Sequence, residues 1–83
     1  MPRYHFHLEN GEISLDPVGS ELRDLDAAKH VSLLMSGDLL KGGPDATASL
    51  WNGIPWRLWV TDEPAGSGNA FFILRFSAEM GPQ

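Results

Sequence analysis

His5, His7 and Asp16 carry the most specific chemistry written in this chain. The run Arg3–Glu9 alternates polar and apolar residues, so a strand there places the imidazoles of His5 and His7 on one face. Asn10-Gly11 supplies the positive φ angles of a two-residue hairpin turn, and the register that follows sets Asp16 directly across from His5. Two imidazoles and a carboxylate are a donor set that binds zinc or iron. The competing reading is a cross-strand hydrogen bond from His5 to Asp16 with His7 exposed. A His-x-His pair without further ligands does not by itself call for a metal, and no cofactor is expected.

A second constellation mixes cations and rings. By alternation, Arg57, Trp59, Phe71, Ile73 and Arg75 fall on the same face as His5 and His7, together with Arg3. Stacking rings beside guanidinium groups are the means by which sheets hold single-stranded nucleic acid. The formal charge of -5 and the absence of clustered lysines oppose that reading. Trp59 and Phe71 each bring roughly 150–250 Å² of side chain, so with Ile73 they approach the several-hundred-Å² scale of a contact surface. These residues therefore point first to a protein partner or a second copy of the chain. The alternative is that the segment 42–55, with Leu50, Trp51 and Ile54, folds over them.

Catalysis has little support. No serine or threonine sits in a nucleophile motif, Gly66-Ser67-Gly68 is too short for a phosphate loop, and the carboxylates fall in turns or at a helix cap. The chain is not expected to be an enzyme.

The elements that must position these residues follow from pattern. Tyr4, Phe6 and Leu8 make the apolar face of a first strand, and the two-residue turn pairs Leu8 with Ile13 and Phe6 with Leu15 in the second. Asp16-Pro17-Val18-Gly19 has the preferences of a type I turn. After extended Ser20–Arg23, Asp24 can cap a helix in which Ala27, Ala28, Val31, Leu34 and Met35 share one stripe while Leu33 and Leu40 point away. Gly37 costs about 1 kcal/mol inside a helix and marks early fraying, and Gly42-Gly43-Pro44 ends it. The segment to Pro55 reads as a loop, with room for a short helical turn over 45–50. Trp56–Thr61 and Ala70–Ser77 alternate again, joined by a polar hairpin connection over 62–69. The expected fold is α+β, ββαββ, a four-stranded antiparallel sheet with one amphipathic helix on one face. It forms a single domain over 1–83 with an ordered core about 2–77; the strand order is not specified.

With no cysteine, disulfides and thiolate metal sites are excluded. No cationic leader and no stretch of ~20 apolar residues is present, so a cytoplasmic chain without a membrane partner is expected.

Three blocks carry a resemblance: Met1-Pro2-Arg3-Tyr4-His5-Phe6-His7, Asp16-x-x-Gly19-x-Glu21-Leu22-x-Asp24-Leu25-x-Ala27-Ala28, and Trp56-Arg57-x-x-Val60-Thr61-Asp62-Glu63. In that order they resemble a family of small, largely alphaproteobacterial proteins classified as a domain of unknown function. The resemblance covers Met1 to about Ser77 and implies a compact intracellular α+β unit, with no activity, catalytic residues or cofactor attached. This chain departs from it at His5, where Phe is usual, at Trp59, where a polar residue is usual, and in its longer Lys41–Pro55 segment.

The sequence thus leads to a small noncatalytic bacterial interaction module that self-associates, as a homodimer, through the sheet face away from the helix. The alternatives are single-strand binding by that face, or a metal role for His5, His7 and Asp16.

Overall fold

The structure, a computed structural model, describes residues 1–82. It is α+β: an antiparallel sheet with one main helix packed against it. In chain order the elements are β1 (Arg3–Glu9), β2 (Ile13–Ser14), β3 (Ser20–Glu21), α1 (Leu25–Leu40), α2 (Gly43–Ala46), α3 (Ala48–Trp51), β4 (Trp56–Thr61) and β5 (Ala70–Phe76). The sheet runs β2-β1-β4-β5, with β3 pairing β1 beyond β2. β1 and β4 are therefore central, and β5 forms one edge.

The helix side of the sheet carries the main core. Tyr4, Phe6, Leu58 and Val60 pack against Ala28, with Leu22, Leu25, Val31, Met35 and Phe72 around them. Asp24 caps α1 through the Ala27 N–H at 2.9 Å, as its position predicts. That bond holds its carboxyl below the usual range, and the neighbouring Arg23 adds to the effect.

The helix is rotated from its hydrophobic pattern. Its buried residues are Ala28, Ser32 and Ser36, whereas Leu34, expected on the core stripe, is exposed with Leu33. Small residues one helical turn apart let the backbone lie close to the sheet. The serines fit because their hydroxyls donate back into the helix, Ser32 to Lys29 O at 2.7 Å and Ser36 to Ser32 O at 2.8 Å. The helix also runs unbroken through Gly37. Nothing lies within 4 Å of a Cβ placed there, so Gly37→Ala is expected to raise stability by about 1 kcal/mol in urea unfolding. No gain would mean that this turn frays in solution.

The first hairpin corrects the expected register. Leu8 pairs with Ser14 and Glu9 with Ile13, so three residues, Asn10, Gly11 and Glu12, form the turn. Asn10 N–H donates to Glu12 O at 3.1 Å, and Gly11 takes φ +100. A slip of one residue moves every following side chain to the other face. Ile13 and Leu15 consequently leave the helix side and join the side of His5 and His7, and their place in the core is taken by Leu22 and Leu25.

The segment expected as a loop beyond Lys41 folds into two single-turn helices, α2 and α3. It packs at the turn end of the β1–β2 hairpin: Ser49 Oγ donates to Asn10 O at 2.9 Å and accepts from Trp56 Nε1 at 2.8 Å.

Candidate functional site

The sheet face away from α1 was expected to be open, and at His5, His7 and Trp59 it is closed. His5 is 4% exposed, His7 0% and Trp59 6%. What covers them is the connector Leu15–Gly19 on one side and the 62–69 hairpin loop on the other, not the 42–55 segment. The two meet above Trp59: its Nε1 donates to Gly66 O at 3.0 Å, and a Cβ on Gly66 would stand 2.8 Å from Leu15 Cδ2.

Asp16 organises this cover with every polar group it has. Its carboxylate accepts from Phe6 N–H at 3.0 Å, Gly19 N–H at 3.0 Å and Val18 N–H at 3.3 Å. Its carbonyl accepts from His5 Nδ1 at 2.8 Å, and its own N–H donates to His7 Nδ1 at 3.1 Å. These contacts assign the tautomers. His5 carries a proton on Nδ1. His7 must be bare on Nδ1, and its Nε2–H donates to Thr61 Oγ1 at 2.9 Å, which donates in turn to Glu63 O.

Charge follows from the same geometry. Burial holds the His7 imidazole below its usual value near 6.5, and the rings of His5 and His7, stacked at 6.3 Å, push the same way; Glu63 and the Asp16 carboxylate oppose them without prevailing. Asp16 is also partly buried, which favours its neutral form, but the N–H groups of Gly19, Phe6 and Val18 outweigh this and keep the carboxyl below its usual value. The network is a strap lock that fastens both loops to β1.

The three metal candidates are thus brought together, but their donor atoms are turned to each other and to the backbone. Both His7 nitrogens, His5 Nδ1 and both Asp16 oxygens are engaged. Among the described residues no group of three histidine, aspartate or glutamate side chains is arranged to hold a metal ion.

The Arg and ring constellation is dispersed as well. Arg3 bonds Val18 O and Glu21. Arg57 lies 4.0 Å over the Trp59 ring and bonds Glu9 Oε1 at 2.7 Å, so it covers one face of the buried tryptophan. Phe71 sits at a bulge, because Val60 pairs with Phe72 while Thr61 pairs with Ala70. The extra residue turns toward the core side, where its ring meets Tyr4 at 5.1 Å. His5, His7 and Trp59 offer no free ring face for a base.

What stays open is the β5 edge. Ile73 and Arg75 are exposed there, as is part of Phe71. Beside the edge lies an apolar groove of about 300 Å³ between α1 and β5, lined by Lys29, Ser32, Leu33, Phe72, Ile73 and Leu74. Alternation along β5 does not reveal that the strand is an edge or that Leu33 lies beside it. The signal that points there is the run Phe71-Phe72-Ile73-Leu74, which is too apolar for the edge strand of a lone domain and contains neither Lys nor Pro.

The fold and this edge define a small α+β domain with a filled second face and one unprotected strand. A family model described as Domain of unknown function (DUF6894) matches residues 3–76, and the chain belongs to that family. No curated protein and no solved structure matches it. Among the described residues no helix is long and apolar enough to cross a membrane.

Proposed function

We propose that this chain is a noncatalytic interaction module that takes up an extended protein strand along β5. The observation that carries the reading is the continuity of a seven-residue edge strand, paired to β4 on its inner side alone, with the apolar groove beside Leu33. Strand addition uses these two features together: the backbone of the edge supplies hydrogen bonds, and the groove receives alternate side chains of the incoming strand. The single charge on β5, Arg75, has no carboxylate partner among the described residues, so its guanidinium is left for a group of the incoming strand.

The reading moves the contact surface from the sheet face to its edge. His5, His7 and Trp59 then serve the fold, and Ile73 and Arg75 remain contact residues.

The test uses a soluble peptide of the 69–77 sequence carrying a lysine tail, titrated into the chain and followed by hydrogen exchange of the β5 amides. Binding with added protection of β5 is expected. Ile73→Lys is expected to weaken it about tenfold or more, since a lysine on an edge strand opposes pairing. A scrambled peptide of equal charge that binds as well, or binding insensitive to Ile73→Lys, would remove the reading.

A further inference from the structure

We infer that the strand seated on β5 is the β5 of a second copy, paired antiparallel about a two-fold axis at Leu74, so that one sheet runs through both copies. The inference rests on the edge reading above and adds the partner and the register.

The register follows from the side chains. The bulge at Phe71 confines regular strand backbone to Phe72–Phe76. Within it, Phe72 and Leu74 stand opposite the core residues Val60 and Leu58 and face the groove with the helix. Ile73 and Arg75 stand opposite Trp59 and Arg57 and face the other way, Ile73 touching the groove only where the strand edge forms its rim. A two-fold axis at Arg75 would set its guanidinium against its own copy. An axis at Ile73 would oppose Arg75 to Phe71, which the bulge has turned to the wrong side. An axis at Leu74 avoids both: Phe72 meets the partner's Phe76, and Ile73 meets the aliphatic stem of the partner's Arg75. Two aromatic pairs then close over the groove on the helix side.

Charge permits a second copy, and area sets how weakly it is held. The chain carries -5 overall, yet β5 contains no Asp or Glu, so two copies approach along an edge that adds no carboxylate repulsion. About the axis at Leu74 the strands overlap over Phe72–Phe76, and five residues at ~3.4 Å give about 17 Å of paired edge. A sheet and helix layer roughly 20 Å deep makes about 340 Å² per copy, or about 700 Å² in total. That lies below the size of stable specific interfaces and sets a weak, transient dimer that dissociates in the high-micromolar range.

The chain has no cysteine, so single-cysteine variants read the register directly. Ile73→Cys and Arg75→Cys change exposed side chains, and an equal mixture is oxidised with glutathione disulfide at high micromolar concentration, with intrinsic tryptophan fluorescence as the check on folding. Disulfides joining one variant to the other are expected to exceed the one-half share of random pairing, because positions 73 and 75 face each other across the axis while like positions are two residues out of step. Sedimentation equilibrium of the unaltered chain is expected to show a dimer that Ile73→Lys converts to monomer. Random pairing overturns the register. A dimer untouched by Ile73→Lys overturns both the inference and the edge reading. A monomer that still binds the 69–77 peptide overturns only the second copy, and a monomer that does not bind it overturns both.

Discussion

His7→Ala is expected to lower the stability of this domain by about 3–5 kcal/mol, the sum of a cavity at a fully buried site and an Asp16 N–H left without an acceptor. For 83 residues the whole stability is about 4–12 kcal/mol, so the variant stands near its unfolding threshold at room temperature. His7→Asn separates the parts, since its carboxamide oxygen can still accept from Asp16 N–H while the bond to Thr61 is lost. It is expected to retain more stability than the alanine variant. The same site gives a pH dependence with a defined sign. Folded His7 is neutral and its pKa is lowered, so the unfolded chain takes up the proton first. The stabilising effect is fully present above the unfolded value near 6.5 and is lost as pH falls below it. Asp16 adds a second loss in the same direction below its usual value near 3.8, because its lowered carboxyl must be protonated there. Urea midpoints measured from pH 8 to pH 4 check the His7 loss, and their extension to about pH 2.5 checks that of Asp16. A midpoint unchanged between about pH 7 and pH 5, or a slope identical in His7→Asn, would show that His7 is not locked neutral.

Gly19→Ala is expected to destabilise the chain by about 2–5 kcal/mol. Two costs combine. Gly19 holds φ +75, which a side chain resists, and a Cβ there would meet His5 Cε1 at 2.8 Å and Nδ1 at 2.9 Å. The His5 ring cannot give way, since it is buried and bonded to Asp16 O. Gly19→Asn keeps the steric clash but tolerates the positive φ, so the difference between the two variants measures the backbone part. Thermal unfolding followed by near-ultraviolet circular dichroism reports it through Trp59. Wild-type stability in Gly19→Ala would mean that the connector does not lie on His5. By the same logic Trp59→Glu is a fold-breaking change: it places a carboxylate in a site that is 6% exposed and lined by His7 and the 62–69 loop.

Much of the scaffold is legible along the chain because it depends on neighbours in sequence. Alternation over Arg3–Glu9 and Trp56–Thr61 gives the central strands, and Asp24 three residues before the Ala27 N–H gives the helix start. Asp16-Pro17-Val18-Gly19 gives the turn whose carboxylate accepts from Val18 and Gly19. The same local rules fail where two answers differ little in local energy. Asn10-Gly11 fits a two-residue turn, yet the three-residue turn is the one that lets Leu15 reach Trp59 and Gly66 while Leu22 and Leu25 fill the core. Likewise the helical stripe through Leu34 is the more hydrophobic, but the stripe Ala28, Ser32, Ser36 is the one that fits closely against a twisted sheet.

By itself the sequence determined that β1, α1, β4 and β5 exist and that His5, His7 and Trp59 share the face away from the helix; Asp16 meets the histidines through its backbone groups and not by the two-residue register that set it across from His5. Only the tertiary structure decided that this face is closed, because burial there depends on two loops distant in sequence that meet over one tryptophan. It also decided which strand is the edge, since strand order depends on pairing partners and not on any single strand's pattern. A one-residue register slip and a one-residue bulge then separated the filled face from the open strand.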